Sequence, residues 1–138
     1  MFLCENGNAD CYGLSHRLQG SQAEAVAVPF AESNLLHSPD GVSDEAALML
    51  TDNAPTAWMG ARRAGITPGQ SVAVIGLGPV GMLSVMAAQI MGAATVYAID
   101  LVESRHQLAA SIGAIPIDPA NARDAILDHR GALPDVVL

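Results

Sequence analysis

Basic and aromatic side chains are both scarce in this chain of 138 residues. Lys and Arg together number 6 against 14 Asp and Glu, which gives a formal net charge of −8. Because binding to nucleic acid requires clustered Lys and Arg to neutralise phosphates, this balance argues against a nucleic-acid partner. Aromatic residues make up 4% of the chain. The core therefore has to be built from Ala, Val, Ile, Leu and Met.

Cysteine is also scarce, since Cys4 and Cys11 are the only two. One disulfide is arithmetically possible, but two thiols in a reducing compartment are more often free. No apolar run reaches the roughly 18 residues of a membrane-spanning helix. The first residues lack the basic and apolar regions of a signal peptide. The sequence therefore favours a globular, cytoplasmic protein with no membrane partner.

The most specific feature of the sequence is a glycine-rich segment after a short apolar run. Ser71–Ile75 has the length and composition of a strand, and Gly76-Leu77-Gly78-Pro79-Val80-Gly81 follows it in the pattern G-x-G-x-x-G. In a dinucleotide-binding turn the first glycine permits the tight turn, the second lets the backbone approach a pyrophosphate, and the third lets the helix pack closely on the strand. The phosphates then lie on the free N–H groups of the helix N-terminus. These six residues are the predicted cofactor-binding segment.

Asp100 completes the pattern, because it closes the next apolar run. A carboxylate at this place would accept hydrogen bonds from a ribose 2′-OH and repel a 2′-phosphate. The sequence therefore predicts NAD rather than NADP. A methyltransferase that binds S-adenosylmethionine also has a glycine turn and an acid at these places. The proline-containing turn and the helix that precede the strand favour NAD.

Strand and helix patterns alternate from Ser71 to the end of the chain. They predict strands over 71–75, 95–99, 115–117 and 135–138, and helices over 80–91, 103–111 and from 118 to near 131. This alternation indicates an α/β fold with a parallel sheet and right-handed crossovers. Such a sheet would be the first half of a dinucleotide-binding fold plus one strand.

The earlier part of the chain contains weaker signals. Gln22–Phe30 is predicted as a strand that ends at a proline. Ser43 is predicted as the N-cap of a helix through Leu50, which Pro55 interrupts and which resumes over 56–64. A lone strand and loop before residue 40 cannot bury themselves, so we expect both ends of the chain to continue into a larger protein.

With these residues described, the chain resembles the medium-chain, zinc-dependent alcohol dehydrogenase family, and most of all its formaldehyde and threonine dehydrogenase-like members. The similar segments are Gln22–Pro29, Asp44–Ala47 through Thr56-Ala57, Val72–Gly81, Ala87–Gln89, Gly92-Ala93, and Asp100 with Arg105. The resemblance implies that residues 1–40 are the tail of a GroES-like β domain and that 41–70 are linking helices. It implies a partial Rossmann-type NAD-binding domain over 71–138.

The activity that the resemblance implies is hydride transfer between a small alcohol or aldehyde and NAD, with zinc as the Lewis acid. Asp52 stands where these members carry the third ligand of the catalytic zinc, and a carboxylate can ligate zinc. The other two ligands, a Cys and a His, would precede Met1. Cys4 resembles the last of four cysteines that hold a structural zinc. A complete parent could form a homo-oligomer, whereas the chain alone is expected to be inactive.

The resemblance implies two further roles: Thr56 would approach the nicotinamide, and Arg105 would lie beside Asp100 at the ribose. Ordinary alternatives stay open for each residue. Asp52 can be a solvated or capping aspartate at a helix break, Thr56 an N-cap, Arg105 a solvated charge and Cys4 a simple thiol. The four histidines are not spaced as a metal set, and His106 and His129 are expected on polar helix faces.

Two other functions remain open at this point. The chain can be a non-catalytic, truncated module that binds the adenosine side of a nucleotide weakly, because the nicotinamide contacts would be missing. It can also derive from a zinc-free, quinone-reductase-like member of the same superfamily. Such a protein needs no acidic residue at position 52, and this interpretation gives no reason for Cys4.

Overall fold

The structure is a computed structural model that describes residues 12–13 and 18–138. The chain divides into two compact units, Met1–Pro39 and Asp40–Leu138. In the described part of the first unit, the regular element is the short helix α1, Ala31–Asn34. The strand predicted over Gln22–Phe30 is wrong. Those residues are mostly exposed, and among the described residues no strand lies beside them to form a ladder. Cys4, Cys11 and His16 lie outside the described residues.

Two helices begin the second unit. Helix α2 spans Asp44–Thr51, and the Ser43 side chain accepts the Ala46 N–H at 3.3 Å, which confirms the predicted N-cap. Helix α3 spans Asn53–Arg63. The break between them lies at Asp52 rather than at Pro55. A proline ring clashes with the carbonyl four residues earlier but is tolerated in the first turn of a helix. Pro55 therefore lies in the first turn of the new helix, which begins at Asn53, and the old helix ends at Thr51.

The rest of the unit alternates strand and helix as predicted. Its elements are β1 Ser71–Ile75, α4 Pro79–Ile90, β2 Thr95–Ile99, α5 Glu103–Ser111, β3 Ile115–Ile117, α6 Ala122–Arg130 and β4 Val136–Val137. The strands form a parallel sheet in the order β3-β2-β1-β4. This arrangement confirms the α/β fold class. A 3₁₀ turn, Pro119–Asn121, replaces the first turn of the last predicted helix.

The sheet is buried on both faces, as parallel sheets with crossover helices usually are. On one face Val72, Val74 and Val96 pack with residues of α4 and α5. On the other, Ala73, Tyr97 and Ile99 pack around Ile117 and Ile126. Successive residues of β1 therefore enter opposite clusters, which explains why Ser71–Ile75 reads as a continuous apolar run rather than an alternating one.

The order of the strands determines where a ligand can approach. Strand β1 has β2 on one side and β4 on the other, so the direction of the crossovers reverses at β1. Open α/β sheets bind ligands beyond the carboxyl ends of their strands at such a reversal. The residues that follow β1 and β2 therefore form the candidate site. Among the described residues, no helix is long and apolar enough to cross a membrane.

The two helical histidines differ in their surroundings. His129 is exposed, as predicted, and its Nδ1 lies 2.9 Å from the hydroxyl oxygen of the buried Tyr97. The prediction for His106 is wrong, because its side chain is only 15% exposed. Its Nε2 is buried and has no hydrogen-bond partner in the described part of the chain. The apolar and polar faces of α5 are weakly separated in sequence, so helical spacing alone did not reveal this burial.

Candidate functional site

The candidate site is built around the loop from β1 to α4. Gly76 leaves the strand with φ +87, a left-handed conformation that favours glycine. Its N–H donates to the carbonyl of Ile99 at 2.8 Å, so the loop is joined to the end of β2. Helix α4 begins at Pro79, where a missing N–H costs nothing because first-turn N–H groups have no partner inside the helix. The predicted strand–turn–helix arrangement is therefore present.

The other two glycines of the motif have different surroundings. A Cβ atom on Gly81 would overlap the carbonyl oxygen of Gly76 and lie 2.8 Å from its carbon, so α4 can only pack at this distance without a side chain. A Cβ atom on Gly78 would meet nothing within 4 Å, and its φ of −67 is accessible to any residue. The packing of the protein therefore accounts for Gly81 but not for Gly78.

The space beside Gly78 is an open groove of about 400 Å³. Its lining residues are Val74, Ile75, Gly76, Gly78, Pro79, Val80, Gly81, Ser84 and Leu138. Among the described residues no acceptor receives the N–H groups of Gly78, Val80 and Gly81. Free N–H groups at a helix N-terminus, together with the helix dipole, favour an anion. The groove can therefore receive a phosphate group.

Asp100 lies at the adjacent end of β2 and is buried. Its Oδ2 accepts the N–H of Leu77 at 2.6 Å, and its Oδ1 accepts the N–H of Val102 at 2.9 Å. Arg105, on the first turns of α5, donates through Nη1 to the same carboxylate, at 3.1 Å from Oδ2 and 3.4 Å from Oδ1. The structure thus brings together the loop, the acid and the arginine that the sequence predicts at the site.

These contacts change the acidity of Asp100. The hydrogen bonds from Leu77 N–H and then Val102 N–H lower its pKa from 3.8 to about 2, and Arg105 adds to this effect. Burial acts in the opposite direction, because it disfavours the charged form. Asp100 therefore carries a full negative charge at neutral pH.

Asp52 and Thr56 lie apart from this loop in sequence, at the junction of α2 and α3. The Thr56 hydroxyl donates to Asp52 Oδ1 at 3.0 Å, and both side chains are exposed. Among the described residues, no group of three or more His, Cys, Asp or Glu could hold a metal ion. A catalytic zinc site needs three protein ligands, so Asp52 by itself does not fit one.

Sequence reasoning missed four residues that line the groove, one of which is the core residue Val74 of β1. Ser84 lies on α4, Ile75 ends β1 and is exposed, and Leu138 follows β4. The carbonyl of Leu138 accepts the N–H of Ile75 at 2.9 Å, which places the end of β4 against the groove. Nothing in the G-x-G-x-x-G motif indicates that Leu138 lies beside it. Only the rule that a doubly wound sheet places its fourth strand beside its first could have indicated it.

Comparison with known proteins adds to this geometry, although no protein-family model matches the chain. The chain is 47% identical over 121 residues, or 88% of its length, to a probable zinc-binding alcohol dehydrogenase of Mycobacterium tuberculosis. It is 43% identical over 124 residues, or 80% of its length, to a glutathione-independent formaldehyde dehydrogenase of Bacillus subtilis. The alignments cover 32% and 30% of those two proteins.

Solved structures agree with the sequence relatives. An alcohol dehydrogenase from Thermus sp. ATN1 superimposes on 87% of this chain with a TM-score of 0.80 and 41% sequence identity, over 36% of its own chain. The chain therefore spans about a third of the length of the relatives that it matches.

Proposed function

The chain belongs to the medium-chain, zinc-dependent alcohol dehydrogenase family and spans about a third of the length of its relatives. We propose that it binds the adenosine and pyrophosphate part of NAD. Gly78 carries this proposal. It is a glycine that neither the backbone conformation nor the packing of the protein requires, and it borders a groove lined by N–H donors. A ligand that approaches the main chain closely accounts for the absence of a side chain there.

The residues of the site would divide the binding between them. The N–H groups of Gly78, Val80 and Gly81 would donate to oxygens of the pyrophosphate, while Asp100 would accept a ribose hydroxyl. A ribose hydroxyl can displace Arg105 from Asp100, because the Arg105 side chain is 46% exposed. The other two donors to Asp100 are backbone N–H groups, which are held in place by the fold. The charge of Asp100 would repel a 2′-phosphate and so favour NAD over NADP.

In the complete parent we propose that the bound coenzyme serves an oxidoreductase acting on a small alcohol or aldehyde. NAD, when bound, supplies the hydride acceptor at C4 of its nicotinamide. Asp52 remains our candidate for a zinc ligand of that parent, and Thr56 our candidate for a residue near the nicotinamide. The described residues contain no group of three possible metal ligands, so Asp52 would need ligands from elsewhere in that parent to hold zinc.

Binding without catalysis is therefore the activity that we propose for the chain by itself. Affinity would be lower than in a complete dehydrogenase, because contacts to the nicotinamide half would be missing. The choice between a zinc enzyme and a zinc-free reductase as the parent depends on Asp52, and the relatives named above favour the zinc enzyme.

Titration calorimetry of the purified chain with NAD and with NADP tests the proposal. We expect NAD to bind more tightly than NADP, and the difference to shrink when Asp100 is replaced by Asn. Circular dichroism on the same samples establishes that the chain is folded. Tighter binding of NADP, or a folded chain that binds neither nucleotide, would contradict the proposed function.

A further inference from the structure

Asp100 makes more contacts with its own chain than a ribose acceptor needs. A carboxylate offers about four acceptor positions. One on each oxygen is taken by a backbone N–H, from Leu77 and from Val102, and Arg105 lies against both oxygens. The hydrogen bond from Leu77 is the shortest of these, at 2.6 Å. The carboxylate is thus attached to the glycine loop even without a ligand.

Leu77 is the residue through which this contact acts. It stands between Gly76 and Gly78, and glycine is the residue with the greatest backbone freedom. Its side chain is fully buried in the core cluster that includes Val74 and Val85, and its N–H is bound by Asp100. A rotation of the peptide between Gly76 and Leu77 would break that hydrogen bond. Asp100 thereby opposes the motion that the two glycines would otherwise permit.

We propose that Asp100 is a positioning residue for the glycine loop: by accepting the Leu77 N–H, it holds the loop in the conformation in which the following N–H groups face the groove. This action is separate from any contact with the ribose, and its effect on binding rests on the proposed dinucleotide function. The binding of a nucleotide that lacks ribose hydroxyls therefore also depends on Asp100.

Arg105 differs from the two backbone donors. Its contacts to the carboxylate are longer, and its side chain is half exposed. A ribose hydroxyl can replace Arg105 on Asp100 while the Leu77 and Val102 hydrogen bonds persist. Replacement of Arg105 consequently leaves the loop in position, whereas replacement of Asp100 does not.

The chain contains a matched control for Asp100 at the opposite end of β1. Asp135 Oδ2 accepts the N–H of Ser71 at 2.8 Å and lies 3.2 Å from Arg130 Nη2. Asp135 therefore also combines a backbone N–H with an arginine, but Ser71 begins the strand whereas Leu77 follows its end. An Asp135→Ala variant loses comparable hydrogen bonds, none of which involves the glycine loop.

The first experiment measures binding of ADP and of 2′,3′-dideoxy-ADP, which lacks both ribose hydroxyls, to the unchanged chain, to Asp100→Ala and to the control Asp135→Ala. We expect Asp100→Ala to weaken both ligands, and the dideoxy form by about tenfold, the effect of one lost hydrogen bond to a charged group. Asp135→Ala should leave the affinity for the dideoxy form within about twofold. If Asp100→Ala weakens only ADP, Asp100 acts through the ribose alone and the proposal is wrong.

The second experiment needs no ligand. Hydrogen exchange followed by NMR reports on the Leu77 amide directly. We expect Asp100→Ala to accelerate exchange at Leu77 by about tenfold or more relative to the Val74 amide, and Asp135→Ala to leave that ratio unchanged. An unaltered Leu77 exchange ratio in Asp100→Ala would overturn the positioning role. If the Asp100→Ala variant does not fold, the NMR chemical shift of the Leu77 amide is followed in the unchanged chain as the pH is lowered. A Leu77 amide shift that does not change as Asp100 becomes protonated would contradict the positioning role.

The two experiments separate the two proposals. A chain that binds no nucleotide at all, but whose Leu77 exchange depends on Asp100, contradicts the proposed function and retains the positioning role. A chain that binds both nucleotides, with a Leu77 amide insensitive to Asp100, contradicts the positioning role and retains the function.

Discussion

The carbonyl oxygen of Gly76 occupies the space in which Gly81 would carry a side chain. Gly76 begins the turn out of β1 and Gly81 lies in the first turn of α4, so this contact sets how closely the helix approaches the strand. Beside Gly78, by contrast, an added Cβ would meet no atom of the described chain within 4 Å. The motif thus contains one glycine required by its φ, one by packing, and one that the protein itself does not require.

A first prediction concerns Gly81 and folding. Gly81→Ala should lower the free energy of unfolding by about 3 kcal/mol, because the clash is with the backbone of Gly76, which cannot turn away as a flexible side chain would. Urea denaturation followed by circular dichroism measures the change. Gly60→Ala is the control: Gly60 lies inside α3 with nothing within 4 Å of an added Cβ, so this change should stabilise the chain by about 0.5–1 kcal/mol. Equal effects at the two glycines would contradict the packing argument.

A second prediction concerns Gly78 and binding. Gly78→Ala should leave the free energy of unfolding within about 0.5 kcal/mol, since its φ suits alanine and the added methyl group meets no protein atom. The methyl group would lie in the groove, so binding of NAD should weaken by about tenfold or more. Calorimetry and urea denaturation on the same preparation measure both quantities. If binding is unchanged and stability falls, Gly78 has a structural role and the groove is not the coenzyme site.

A third prediction follows from the acidity of Asp100. Its pKa in the folded chain is about 2, lowered from 3.8, first by the hydrogen bonds from Leu77 and Val102. Between these two values the folded state binds fewer protons than the unfolded state, so acid favours unfolding. The stabilisation is present above pH 3.8 and is lost as the pH falls towards 2. Asp100→Asn should therefore flatten the dependence of the unfolding free energy on pH in this range.

Urea denaturation at several pH values measures that slope. Asp135→Asn serves as a comparison, because hydrogen bonds from Ser71 also lower the pKa of Asp135. It should reduce the slope in the same direction, and the two changes together should flatten it further, since the two carboxylates lie at opposite ends of β1. A slope that neither substitution changes would show that other groups control the acid sensitivity.

A fourth prediction concerns turnover. The purified chain, supplied with zinc, NAD and small primary alcohols, should produce no NADH, because its described residues contain no group of three His, Cys, Asp or Glu that could hold a catalytic zinc. NADH fluorescence measures the product, with an active alcohol dehydrogenase as the positive control. Turnover by the chain that Asp52→Ala abolishes would contradict our proposal that the chain alone binds without catalysing.

The sequence predicted the elements of the second unit well because local signals there agree with one another. Strand β1 and helix α5 have the predicted bounds, and the glycines that end the helices adopt positive φ, as at Gly92 and Gly113. The predictions failed where a neighbour decides the outcome. Gln22–Phe30 has the pattern of a strand, but a strand also needs a partner to take its hydrogen bonds, and the described residues provide none.

The sequence by itself determined which groups the loop contains: a positive φ at Gly76, a proline at the start of α4 and an acid after β2 each follow from residue type and spacing. Only the tertiary structure decided what these residues contact. It placed the Asp100 carboxylate on the Leu77 N–H, gave Gly81 a packing role and left Gly78 without one, and placed Leu138 at the groove. The spacing of residues determines which side chains and backbone groups each helix or strand presents. Hydrogen bonds between elements depend instead on the order and separation of the strands, which are set only when the whole sheet packs.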